Sequence, residues 1–221
     1  MHLCVGERTL KTWSLVHEDP HLLVVNKPSG LLSVPGRGPD KQDCLWTQVR
    51  GAYPQALVVH RLDQATSGLM LLALSPAVQR QLSMAFEARQ VHKKYHAWVE
   101  GVLPITEAWQ SIDLPILLDW PNRPVHIIDA HGKPSLTHWR CVAHHATPAA
   151  SLLELQPQTG RTHQLRVHLN AIGHPIWGDR LYAPVAVRAR SERLMLHATE
   201  LGLTHPVTQD DMHWTCPPDF F

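Results

Sequence analysis

The sequence predicts an α+β fold: a single domain on a mixed, mainly antiparallel β-sheet with flanking helices. Three observations predict it. Short stretches of strand character recur between turn-sized clusters of Pro, Gly and Asp. Helix starts are few and punctuated by caps and prolines. One run, Leu69 to Leu74, is continuously apolar, as a strand buried on both faces must be. No repeat, low-complexity segment or long linker divides the 221 residues, so one unit spanning 1–221 is the simplest organisation.

The elements follow in order. Trp13–Val16 and Leu22–Asn26 read as two strands around the turn His17-Glu18-Asp19-Pro20, and Lys27-Pro28-Ser29-Gly30 ends the second in a turn. Leu31–Val34 looks extended, and Pro35 to Pro39 is loop. Asp43 can cap a short helix that Pro54 ends after Tyr53. Leu57–Val59 is a short strand before the core strand at Leu69. Ser75-Pro76 opens a helix toward Arg89, with Val78, Leu82, Ala85 and Phe86 on one face. Lys93–Val102 alternates as a strand, Tyr95, Ala97 and Val99 against Lys94, His96 and Trp98. Pro104 to Pro134 breaks into short pieces. Strands follow at Ser135–Ala143 and Ser151–Leu155. A helix spans Thr162–Ile172, stopped by Gly173 and Pro175. Leu194–Leu203 and Met212–Cys216 close the fold.

Composition narrows the function classes. Hydrophobic residues make 44% and charged residues 18% of the chain, which is globular composition. No apolar stretch reaches membrane-span length. The N-terminal MHLCVGERTLKTW lacks the charged head and apolar core of a leader, so the expected location is the cytoplasm. Cys4, Cys44, Cys141 and Cys216 are far apart and form no CxxC pair, which fits a reducing compartment. Net charge is only +1, with 17 histidines, so a nucleic-acid partner rests on where the charge sits, not on its sum. His60, His163, His168, His174 and His197 do not suggest a metal site. His163 and His168 are five apart, off a common helical face, and no HExxH occurs.

The chemistry concentrates at HRLDQATSG, residues 60–68. One carboxylate, Asp63, stands between the basic pair His60-Arg61 and the turn Thr66-Ser67-Gly68, on a loop pinned to the core strand. A lone acid held beside a guanidinium suits chemistry better than solubility. Four more segments stand out: Asn26 to Gly30, Lys93-Lys94-Tyr95, GRTHQLRVH at 160–168, and RLMLHA at 193–198.

Together these segments resemble the RluA-type pseudouridine synthases over about residues 13–217. The resemblance implies the pseudouridine synthase fold, without the N-terminal S4 RNA-binding domain that many relatives carry. It implies isomerisation of uridine in structured RNA after the base is flipped out. No cofactor is required, because no atom enters or leaves the RNA overall. GLLSVPGR at 30–37 and DWPNRP at 119–124 are similar to members acting on a tRNA anticodon stem-loop and a large-subunit ribosomal RNA hairpin.

The same resemblance assigns roles. Asp63 is the catalytic carboxylate, nucleophile at the ribose carbon or base at the 2′ position. Arg166 is its partner; taken alone it would read as a solvated helix arginine. Tyr95 is the active-site tyrosine and Leu196 the apolar wall. Arg61 is the wedge replacing the flipped base, a phosphate contact or structural ion pair being nearly as good a reading. His60, Arg37, Lys94, Arg161 and Arg123 join the RNA-binding set. A monomer is expected, with no DNA and no membrane as partner. Two other classes remain. A catalytically silent RNA-binding or assembly factor would have lost the aspartate, tyrosine or arginine. A hydrolytic glycosidase would pair two carboxylates.

Overall fold

The computed structural model describes residues 12–221; Cys4 and the rest of the N-terminal segment read for a leader lie outside them. The core run behaves as its composition requires. Strand β4, Ser67–Ala73, is buried at every residue. Its alternate side chains enter two different cores. Leu69 and Leu71 pack with Leu22 and Val24 of β2 (Leu22–Lys27) and with Val78 and Leu82 of α2 (Pro76–Glu87). Met70 and Leu72 pack with Leu23 and Val25 of β2 and with Leu45 and Val49 of α1 (Leu45–Ala52). Two covered faces explain why the strand shows no polar alternation. Truncating fully buried Leu71 to Ala would cost about 2–5 kcal/mol.

Ten strands form one sheet among the described residues. β1 (Ser14–Glu18) and β2 flank β4 on one side. On the other side β4 touches two strands in succession. Ser67 and Gly68 pair in parallel with His197 and Ala198 of β11 (Leu196–Thr204), and Leu72 and Ala73 pair with β3 (Leu57–Val58). β11 continues into β5 (His92–Glu100), β10 (Ala150–Pro157), β9 (Leu136–His145) and β6 (Gln110–Asp113), with β12 (Asp211–Thr215) on its free flank. Every ladder but β4–β11 is antiparallel, as the sequence led us to expect.

The sheet therefore divides at a two-residue parallel seam. Gly68 makes it possible. Its φ is +112°, and a Cβ there would collide with the Ala198 backbone, lying 2.8 Å from the carbonyl carbon. A third core, built from β5, β9, β10, β11 and helix α3 (Gln164–Ala171), fills the far half.

Most predicted elements recur within a few residues of their expected ends, and the departures have local causes. The α1 N-cap is Cys44, not Asp43: Thr47 Oγ1 accepts the Cys44 N–H and completes a capping box. Leu31–Val34 contributes a single bridge, Leu32 to Cys44, because the chain turns at Ser33 and Val34. The proline-rich middle yields β6 and the small hairpin β7 (Ile116–Leu118) and β8 (His126–Ile128). Helix α4, Val185–Arg188, was not anticipated; four residues carry no readable period. No helix among the described residues is long and apolar enough to cross a membrane.

Candidate active site

The Asp63 loop is clamped by the segment after β2. Lys27 is fully buried. Its ammonium donates to the carbonyls of Pro28 (2.9 Å), Leu31 (2.8 Å) and Gln64 (3.2 Å). Ser29 Oγ donates to Ala65 O at 2.7 Å, Ser33 Oγ to Leu62 O at 2.6 Å, and Gly30 N to Gln64 O at 2.7 Å. The carbonyls of Leu62, Gln64 and Ala65 are thus fixed from one side, which orients Asp63 among them. His60 holds the other end. Its Nε2 accepts the Leu71 N–H at 2.9 Å, the amide β4 presents in the gap between its contacts with β11 and β3. The ring stacks on Phe86, centroids 4.5 Å apart. Burial, with Lys93's charge, pushes its pKa down to about 3, so the ring is neutral.

Helix α3 supplies the arginine. Its first residue, Gln164, is buried, and its amide is fully engaged: it accepts from Thr159 Oγ1 and Arg161 N and donates to Leu136 O and Thr137 Oγ1. His168 bonds Thr137 Oγ1 and donates to Leu114 O. The helix start is thereby fixed, and Arg166 reaches both Asp179 and Asp63. Its guanidinium is bidentate to Asp179, at 2.8 and 2.6 Å. Nη1 lies 3.9 Å from Asp63 Oδ2. Burial would lower the Arg166 pKa, but the Asp179 hydrogen bonds and the two carboxylate charges outweigh it and raise it. The expected Arg166–Asp63 pair is present as a charge contact; the hydrogen-bonded partner is Asp179.

A second group meets the same oxygen. His163, at φ +56° just before α3, places Nε2 4.0 Å from Asp63 Oδ2. Its Nδ1 bonds the Tyr182 hydroxyl at 2.7 Å, and that hydroxyl accepts the His126 N–H at 3.0 Å. With Tyr182 donating to Nδ1, the neutral imidazole carries its proton on Nε2, facing the carboxylate. Burial lowers the His163 pKa against the opposing pull of Asp63. The Asp63 carboxylate accepts no hydrogen bond among the described residues.

The groups converge on a cleft of about 640 Å³, inside the ~300–1,000 Å³ range of small-molecule sites. Asp63, Arg166, Tyr95, Leu196, Arg61, His60 and Arg161 all line it. Tyr95 projects from β5; burial, then Asp63's charge, raise its pKa, so it stays a phenol at neutral pH. Leu196 is 2% exposed. Arg61 is exposed and makes no side-chain hydrogen bond or ion pair among the described residues.

Three predicted RNA-binding residues lie off the cleft wall. Lys94 faces the other side of β5, paired with Glu200 (2.9 Å) and Glu154 (3.6 Å), and Lys93 takes its place in the cleft. Arg37 is exposed on the loop before α1. Arg123 stacks on exposed Trp120, 4.5 Å from the ring centroid, at the tip of the β7–β8 hairpin. Sequence reasoning missed Asp179 and Tyr182. The available signal was an acid inside a tight turn: Gly178 has φ +74° and abuts the Arg193 carbonyl.

A family model described as RNA pseudouridylate synthase matches residues 21–171. The chain is 46% identical over 207 residues to the dual-specificity RNA pseudouridine synthase RluA of Escherichia coli K12, covering 93% of both chains. It is 46% identical to the protein of the same name from Vibrio vulnificus, covering 94% of this chain and 84% of that one. The solved structure of human RNA pseudouridylate synthase domain containing 1 superposes with a TM-score of 0.77 at 32% identity, covering 96% of this chain and 85% of that one.

Proposed function

We propose, for a chain that belongs to the RNA pseudouridylate synthase family and so converts uridine in RNA to pseudouridine, that the conversion runs at Asp63 in the cleft between the loop before β4, strand β5 and helix α3. The N1–C1′ bond of uridine breaks, the uracil turns, and C5 bonds to C1′. The C5 proton leaves and N1 gains one, so the isomerisation balances without any donor. Asp63 starts the reaction, by attack on C1′ or by removing the 2′ proton. Arg166 and His163 crowd one carboxylate oxygen and leave the other open to the ribose. The observation that carries this reading is that juxtaposition: an ionisable acid, a buried guanidinium held by its own counter-ion, and a cleft of nucleoside size.

The other roles follow from placement. Tyr95, neutral and largely buried, stacks on the uracil and relays the C5 proton. Leu196 walls the base off from water. Arg61, free at the rim, fills the stack vacated by the flipped base. Arg161 contacts backbone phosphate, with Arg37 and Arg123 reaching flanking RNA. We assign the substrates as a tRNA anticodon stem-loop and a large-subunit ribosomal RNA hairpin. The protein acts in the cytoplasm as a monomer, its catalytic unit residues 13–217, and does not use DNA. The silent-factor reading is disfavoured because Asp63, Tyr95 and Arg166 are all retained.

The test is transcriptome-wide pseudouridine mapping in cells with and without the protein. Loss of specific sites in tRNA and ribosomal RNA is expected. Identical maps would refute the substrate assignment. Free uracil from RNA incubated with the protein would identify a glycosidase instead.

A further inference from the structure

Half-buried Lys93 differs from the buried and half-buried cations that pair with acids, and exposed Arg89 shares its cavity. Lys94 pairs with Glu200 and Glu154, Arg140 with Glu154 and Glu107, Arg166 with Asp179, and Arg193 with Asp219. Arg89 and Lys93 form no ion pair among the described residues, although Glu87 shares the cleft wall with them. Burial and the neighbouring Arg89 charge both lower the Lys93 pKa, and Lys93 in turn disfavours a charged His60. Two like charges facing one cavity destabilise the free protein, and an anion would relieve that repulsion.

A second cavity of about 270 Å³ opens off the catalytic cleft. It is lined by Arg89, Lys93, His92, Gln156 and Gln158, and it shares Arg89, Lys93 and Gln158 with the cleft. Lys93 and Tyr95 alternate onto the same side of β5, about 6.7 Å apart along the strand. A base stacked on Tyr95 carries its backbone toward Lys93.

The Arg89 backbone is a separate observation. It has φ +60°. It closes α2 in a Schellman turn: Gln90 N donates to Ala85 O at 2.9 Å and Arg89 N to Phe86 O at 3.2 Å. Glycine is the residue that position favours. An arginine there accepts a backbone conformation that glycine adopts more easily, and it does so at the mouth of a cavity.

We propose that Arg89 and Lys93 form an anion subsite that takes one phosphodiester flanking the flipped uridine. The subsite rests on the synthase reading but is measured by binding, independently of turnover. The experiment titrates Asp63→Asn protein with synthetic stem-loops containing a mapped target uridine, each carrying one charge-neutral methylphosphonate linkage. One linkage beside that uridine should weaken binding about tenfold. Lys93→Met should weaken the unmodified RNA equally and show no further loss with that linkage. Its salt slope should fall by about 1. Arg89→Gly should also bind about tenfold more weakly while its Tm stays equal or rises, which a merely structural arginine would not allow. Losses that multiply at every linkage, or an Arg89→Gly protein with unchanged affinity and salt slope, would overturn the subsite. Wild-type protein that forms no pseudouridine in any RNA would instead overturn the synthase reading.

Discussion

Arg166→Lys separates the two jobs of the buried arginine. Its Nε and Nη2 bind Asp179 at 2.8 and 2.6 Å while Nη1 stays 3.9 Å from Asp63. A lysine brings one nitrogen on a flexible stem and cannot serve both carboxylates in that geometry. Keeping Asp179 satisfied matters most, because that carboxylate is 1% exposed. The variant loses one charge-assisted hydrogen bond, about 1.5–3 kcal/mol, and Tm should fall by roughly 3–12 °C for a domain of this size. It also loses the fixed charge beside Asp63, which should lower the single-turnover rate by about 10²–10³. The rate is read from release of tritium from C5 of uridine, since that hydrogen must leave. A lowered Tm with a wild-type rate would show that Arg166 acts on stability alone. Unchanged Tm and rate would refute the argument that the planar fork is needed.

Three further outcomes follow from the same geometry. Gly68→Ala should destabilise the fold by at least ~3 kcal/mol in urea unfolding, because its Cβ meets the Ala198 backbone at the seam; stability within 1 kcal/mol of wild type, about the worth of one hydrogen bond, would contradict the seam. Burial lowers the His197 pKa from 6.5 to about 4. The unfolded chain therefore binds the extra proton first, and stability is full above pH ~6.5 and lost as pH falls toward 4, by up to about 3 kcal/mol. His197→Gln should flatten that limb of the unfolding profile, and identical slopes would remove His197 as its source. Tyr95→Phe should bind RNA normally yet form little product; normal turnover would make the hydroxyl dispensable.

Much of this was legible in the residues. The continuous apolar run at 69–74 announced a doubly covered strand, and the caps and prolines around 75 and 173 bounded two helices. Asp63, Tyr95, Arg166 and Leu196 come from four separate segments and do meet at one cleft. What stayed hidden was pairing. A bidentate carboxylate such as Asp179 carries no period and no motif of its own; it is recognisable only once Arg166 is known to be buried. The choice between Lys93 and Lys94 depends on which face of β5 turns to the cleft; the alternation that sets Tyr95 against Lys94 already pointed to Lys93, and the resemblance took Lys94 instead. The resemblance put His60 in the RNA-binding set, while the residues alone read it as a histidine that orients a loop through hydrogen bonds; its bond from the Leu71 amide fits the second reading. Cys44 took the cap from Asp43 because Thr47 could answer it three residues on.

The central claim is that one carboxylate performs the isomerisation. Asp63→Asn keeps the size and shape of the side chain while removing its charge and turning one acceptor oxygen into an NH2 donor, so Tm and RNA affinity should match wild type while no pseudouridine forms on mapped target RNA even at long incubation. Pseudouridine formed by that variant at a rate near wild type would contradict the account.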